Sequence, residues 1–312
     1  MKNIKLTMAI MLVTGLGLHA QQDAQYTQYM YNTMTVNPAY TGSRGMLSIA
    51  ALHRSQWVGL DGAPATQTLN VHSPVGGRMG LGLSIVNDNL GNGTSQETNF
   101  DVATSYTIPT SEKGQLSFGL KLGGNLLNVD LNRLAAYRPD LNRTGQDGVS
   151  NNFSFNFGAG IYYHTDRFYL GLSAPNFLGT QHFEDSENAE TFLAEERLNT
   201  YLISGYVFDL SPNVKFKPAT LVKMVSGAPL QVDVSANFMF NEKFILGAAY
   251  RWDAALSGLI GFNVSDQFMV GLAYDREITE LGATTFNSGS FEVFLRYELL
   301  SKTRKLKTAR FF

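Results

Sequence analysis

Apolar and polar residues alternate with a period of two along most of this chain. Phe100, Val102, Thr104, Tyr106 and Ile108 interleave with Asn99, Asp101, Ala103, Ser105 and Thr107. Leu116, Phe118, Leu120, Leu122 and Leu126 interleave with Gln115, Ser117, Gly119, Lys121, Gly123 and Asn125. The same holds for Phe153 to Ile161 and for Leu230 to Phe238. A last run sets Phe291, Val293, Leu295, Tyr297 and Leu299 against Glu292, Arg296 and Glu298. Successive side chains of a strand point to opposite faces, so the pattern predicts strands with one apolar and one polar face. Runs of about ten residues match a tilted strand that crosses a bilayer.

A short motif recurs between runs, in which a polar turn leads into Phe, two residues and Gly: Thr165-Asp166-Arg167-Phe168 to Gly171, Asn241-Glu242-Lys243-Phe244 to Gly247, and Ser265-Asp266-Gln267-Phe268 to Gly271. Each reads as a tight hairpin with an aromatic at a membrane edge. Alternation and turns together predict roughly 14 strands, an even number that leaves both ends of the chain on the periplasmic side. Short turns near 73–78, 109–114, 164–167, 210–213, 241–243 and 265–267 fall on one side. Long connections near 56–64, 87–97, 128–152, 174–199 and 276–289 fall on the other, as in outer-membrane barrels. Two stretches fit the pattern less well: the first strand, around 45–53, and residues 201–208, where both faces are apolar. A large secreted sandwich would alternate too. Small and charged residues along whole polar faces, with aromatics near the ends of the apolar faces, favour an all-β, antiparallel transmembrane barrel in the outer membrane.

Composition agrees. The 312 residues include 30 Gly, 21 Phe and 14 Tyr but only 9 Pro. Nothing from Gly45 to Leu300 reads as a linker, so one domain is expected. Mean hydropathy is −0.09, near that of soluble proteins, as it is for barrels whose apolar residues are every second one. The net charge of −2 removes a general electrostatic case for nucleic acid. The absence of cysteine fits export without disulfides. Lys2 and Lys5 precede an apolar run from Leu6 to Leu18, and Leu18-His19-Ala20 ends it, which predicts a signal peptide cleaved after Ala20; an uncleaved anchor is the alternative. Beyond Ala20 no run approaches the length of a transmembrane helix. The expected order is a signal peptide at 1–20, a periplasmic or plug segment at 21–44, the barrel at 45–300 and a basic tail at 301–312.

Catalytic signatures are missing: there is no G-x-S-x-G, H-E-x-x-H or phosphate loop. A barrel hydrolase assembled from Ser55 with His53 or His72 is conceivable, since such sites are spatial, although polar groups at strand ends explain these residues too. Asp140 to Gly145 faintly resembles a calcium loop, but Asn151 stands where a bidentate Glu belongs, and a surface turn explains it as well. No cofactor or metal site is expected. Glu184, Asp185, Glu187, Glu190, Glu195 and Glu196 make one outer loop acidic, either a solvated surface or a contact for a divalent ion or a partner. Lys302, Arg304, Lys305, Lys307 and Arg310 form a basic tail before Phe311-Phe312. It could meet lipid headgroups, peptidoglycan or a periplasmic partner, or simply keep the end in water.

Three blocks carry a family resemblance. Gln22 to Asn32 (QDAQYTQYMYN) is followed by Val36 to Arg44 (VNPAYTGSR). His53 to Pro64 (HRSQWVGLDGAP) runs on to Gln67-Thr68 and His72-Ser73-Pro74. Leu221-Val222-Lys223 leads through Gly227 to Gln231 into Asn241 to Phe244. Together they resemble the PorP/SprF family of type IX secretion system membrane proteins over essentially the whole mature chain. The resemblance implies a non-enzymatic barrel in a Bacteroidota secretion and gliding apparatus. Its partners would be other components of that system and a secreted, adhesin-like protein with a C-terminal sorting domain, which the barrel helps export or holds at the surface. The candidate partner contacts are Tyr26, Tyr29, Tyr31, Asn37, Pro38, Tyr40, Trp57 and Asp61. The segment from Gln22 to Arg44, rich in Tyr, Gln and Asn, is expected to pack in the barrel mouth or touch periplasmic machinery; a disordered leader is the alternative. Its tyrosines could bury area while their hydroxyls find partners. The rival function is a general porin for small solutes, because a barrel of this width approaches one with an aqueous channel.

Overall fold

The structure is a computed structural model that describes residues 25–130, 133, 149–178, 198–279, 282 and 287–299. The signal peptide with its cleavage site, Asp140 to Gly145, the acidic residues of 184–196 and the basic tail lie outside the described residues.

The strands are β1 (Leu47–Ser55), β2 (Ala65–Val75), β3 (Met79–Leu90), β4 (Ser95–Pro109), β5 (Gln115–Val129), β6 (Val149–His164), β7 (Phe168–Ala174), β8 (Asn199–Tyr206), β9 (Phe208–Ser211), β10 (Val214–Val225), β11 (Gln231–Phe240), β12 (Phe244–Arg251), β13 (Ala255–Asn263), β14 (Phe268–Glu277) and β15 (Ser290–Leu299). Both β8 and β9 pair with β10; they are two parts of one strand broken at Val207, whose N–H donates to the Arg167 carbonyl. The sheet therefore holds 14 antiparallel strands. It closes where β15 pairs with β1 from Leu47↔Leu299 to Ser55↔Phe291. Closure satisfies every strand edge from within the wall, which hydrocarbon requires.

The barrel is inside-out relative to a soluble protein. Leu83 is 56 % exposed, Leu120 64 % and Phe155 68 %, whereas Arg54 and Glu292 are each 1 % exposed. A continuous apolar exterior around a charged interior is stable only with lipid outside, which removes the secreted sandwich.

The recurring motif folds as expected, with Phe168, Phe244 and Phe268 each opening a returning strand. In two of the three turns a hydroxyl fixes the geometry: Thr165 Oγ1 accepts from the N–H groups of Arg167 and Phe168, and Ser265 Oγ from those of Gln267 and Phe268. Such local bonds make the turn competitive with a continued strand.

Two details differ from the sequence reading, and a third is explained. Residues 87–97 are not a long loop, because β3 and β4 stay paired as far as Leu90↔Ser95; their polar ends look like loop in the sequence because they stand clear of the apolar belt. Two further short connections, at 226–230 and 252–254, lie on the long-loop side, so the sorting of turns by length is incomplete. Residues 201–208 are apolar on both faces because Tyr201 and Ile203 are buried in the interior cluster with Tyr29 and Val36.

Candidate functional site: the filled lumen and its outer rim

Residues 25–44 run through the barrel interior. Gln25 Nε2 donates to Gln231 Oε1 (2.9 Å) at the first residue of β11, on the side of the long loops. Arg44 pairs with Glu298 near the far end of β15, its Nη2 2.9 Å from Oε2. The segment thus descends from the outer rim to the short-turn end, where β1 begins, so Gln25 stands at the outer rim although the even strand count by itself puts both ends on the periplasmic side. A single helical turn, α1 (Thr33–Val36), and a 3-10 turn at Pro38–Tyr40 compact it. Asn37 caps the second turn: its side chain accepts the Ala39 N–H at 2.9 Å.

Two kinds of contact hold the segment. Near the outer rim they are ionic. Arg54 Nη1 lies 2.6 Å from both Asp275 Oδ2 and Glu292 Oε1. Glu292 in turn accepts the N–H groups of Thr27 (2.6 Å) and Gln28 (3.0 Å), and the Thr27 hydroxyl donates to Asp275 (2.7 Å). One guanidinium between two carboxylates leaves lone pairs free to bind the segment's backbone, so wall and segment complete each other's hydrogen bonds. Arg251 pairs with Asp233 beside them (2.8 Å).

Deeper in, the contacts are steric. Side chains are absent where the segment approaches the wall: a Cβ at Gly119 would collide with the Ala39 backbone, and one at Gly160 with the Asn37 side chain. Asn37 Nδ2 donates to the Ile161 carbonyl at 3.1 Å. Ser173 and Ser105 donate to the carbonyls of Val36 and Thr41, each at 2.6 Å, and the Gly42 N–H donates to His72 Nδ1 at 3.0 Å. The cavities beside Tyr29 and Tyr31 hold about 20 and 10 Å³, room for a water at most.

A family model described as "Type IX secretion system membrane protein PorP/SprF" matches residues 18–297. The chain belongs to this family. Among curated proteins none matches its sequence. Solved structures similar to this PorP/SprF chain are outer-membrane proteins of very different sequence. The Acinetobacter baumannii outer membrane protein Omp33 is 6% identical, with 81% of this chain and 98% of that one covered and a TM-score of 0.49. The Ralstonia pickettii toluene transporter TbuX is 12% identical over 85% and 92%, with a TM-score of 0.46. The P. putida toluene transporter TodX is 9% identical over 86% and 94%, with a TM-score of 0.43.

The candidate residues of this PorP/SprF barrel fall into two groups. Tyr26, Tyr29, Tyr31, Asn37, Pro38 and Tyr40 are all buried in the lumen. Tyr31 lies against Phe294 with ring centroids 5.8 Å apart, and the Lys217 ammonium sits 4.7 Å over its ring. Its hydroxyl has no hydrogen-bond partner among the described residues, so this tyrosine binds through its ring rather than by the expected pairing of its hydroxyl. Tyr40 packs edge-on against His72 and Tyr162. Trp57 and Asp61 belong instead to the outer loop between β1 and β2. Trp57 Nε1 donates to Glu277 at 3.0 Å, and Asn92 donates to Asp61 at 2.5 Å, tying that loop to its neighbours. Sequence reasoning missed the wall residues that hold the segment, chiefly Arg54, Asp275 and Glu292. Their signal was both signs of charge on inward positions of adjacent strands, where a water-filled channel needs no such pairing.

Proposed function

We propose that this barrel is a part of the type IX secretion and gliding apparatus that supports export, or surface anchoring, of an adhesin-like partner with a C-terminal sorting domain, a role that calls for no catalysis. The observation that supports this most is the filled lumen. Residues 25–44 run from rim to rim through the interior and occupy the path that a solute would take. Contact surfaces then remain at the outer rim, where Trp57 and Asp61 sit, and along the wall, where lipid and other secretion components would bind. In this reading residues 1–20 are a signal peptide removed after Ala20, and 21–44 are a built-in plug rather than a leader or a periplasmic arm.

The test is a pull-down of the tagged, full-length barrel from outer membranes of its native host in mild detergent, with mass spectrometry of what stays bound. Recovery of a secreted protein with a C-terminal sorting domain supports the proposal and identifies the partner. Recovery of lipid and assembly factors alone, in a preparation that conducts ions, would make a solute porin the better account.

A further inference from the structure

Three polar side chains share the outward face of the wall just below the outer rim. His53 and Ser55 follow Leu47, Ile49 and Ala51 on the lipid side of β1, and Gln67 follows the same parity as Leu69 and Val71 on β2, directly opposite His53. Ser55 Oγ lies 3.0 Å from His53 Nε2, and the Gln67 amide lies 3.3 Å from His53 Nδ1. Serine, imidazole and an amide are therefore linked in the order that nucleophile, base and orienting group take in serine and cysteine hydrolases. His72, the other histidine near in sequence, faces the lumen and accepts the Gly42 N–H, so it takes no part.

The level of this chain of contacts selects its substrate. Ser55 is in register with Phe291, whose ring lies 5.0 Å from that of Tyr274. Such outward aromatics mark the membrane interface. Apolar wall for acyl chains lies below Ser55 and polar loops lie above it. That is the depth of the acyl ester bonds of outer-leaflet lipids.

We propose that Ser55 and His53 form a slow acyl-ester hydrolase site on the lipid-facing wall, with Gln67 as the positioning residue. A half-turn of the Gln67 amide lets its Oε1 accept the His53 Nδ1 proton, which turns the Nε2 lone pair toward the Ser55 hydroxyl. Ser55 Oγ then bonds to the ester carbonyl carbon as its proton passes to His53 Nε2. The bond from that carbon to the lysolipid oxygen breaks, and His53 returns the proton to the leaving oxygen. Water, deprotonated by His53, cleaves the acyl-serine to fatty acid and restores both residues. An amide cannot stabilise the imidazolium as a carboxylate does, so turnover is expected on the order of 10⁴-fold below that of a carboxylate-bearing triad. This activity goes beyond the export role and is independent of it.

The test uses the full-length barrel in detergent with a long-chain alkyl fluorophosphonate. Modification of Ser55 is read by peptide mass spectrometry, and fatty-acid release from phospholipid in mixed micelles is read in parallel. Retained heat-dependent gel mobility shows that each variant is folded. We expect Ser55 to be modified, a rate at least about 100-fold lower in His53→Ala, and both label and fatty acid abolished in Ser55→Ala. Gln67→Glu should react at least about tenfold faster than wild type, whereas Gln67→Leu should react more slowly; a merely structural glutamine would give neither. Folded protein whose Ser55 stays unmodified in both wild type and Gln67→Glu, or reacts equally in His53→Ala, would overturn the proposal.

Discussion

The upper and lower halves of the internal segment are held in opposite ways. From Gln25 to Asn32 it is gripped by buried charge, with Glu292 and Asp275 bonded to Thr27 and Gln28 and balanced by Arg54. From Asn37 to Gly42 it is gripped by shape, against a wall stripped to glycine and small hydroxyls at Gly80, Gly119, Gly160, Ser105 and Ser173. Ionic contacts tolerate a shift of the chain if partners move with it, whereas close backbone packing allows one placement only. The lower half therefore sets where the segment sits, and the upper half decides whether it stays.

The sharpest way to break the upper half is Arg54→Ala, which leaves Asp275 and Glu292 as two buried, unbalanced carboxylates. The cost should be about 3–5 kcal/mol, measured as a fall in the urea midpoint of the barrel in lipid vesicles by fluorescence of Trp57 and Trp252. For the lower half, Gly119→Val drives a side chain into the Ala39 backbone and should cost about 1–3 kcal/mol. Gly258→Val is its control, because a Cβ there meets nothing within 4 Å, and its midpoint should not fall. Asn37→Ala removes both the cap on Ala39 and the bond to Ile161; a loss of about 1–2 kcal/mol is expected. Arg167→Ala should change the midpoint least, within about 0.5 kcal/mol, since its pair with Asp209 is solvent-exposed. Equal effects of Arg54→Ala and Arg167→Ala would mean that the ionic grip contributes nothing.

What could be read from the sequence was what depends on the lipid face. Phe153, Phe155 and Phe157 alternate because hydrocarbon sits on one side of β6, and hydrocarbon imposes the same requirement on every strand. The lumen face answers to a neighbour 20 residues long that period-two reasoning does not contain. Tyr201 and Ile203 therefore read as a flaw in the pattern, and Arg54, Asp275 and Glu292 as unrelated polar residues. The outer turn at 91–94 was hidden for a related reason: Asn87 to Asn89 lie above the apolar belt, so their strand character leaves no hydrophobic trace. Among the candidate contacts, the tyrosines of the segment and the Trp57 loop are close in sequence. The topology separates them, since β1 carries the chain from the inner end of the segment back to the outer rim.

The measurement that bears most directly on this account is single-barrel conductance in a planar lipid bilayer, with the full-length protein compared to a variant lacking residues 22–44. A plugged barrel predicts a closed or nearly closed full-length protein and large, stable open steps after the deletion, in protein that still shows the heat-dependent mobility of a folded barrel. Full-length protein that already conducts as an open pore, with steps unchanged by the deletion, would contradict the plug and with it the case against a solute porin.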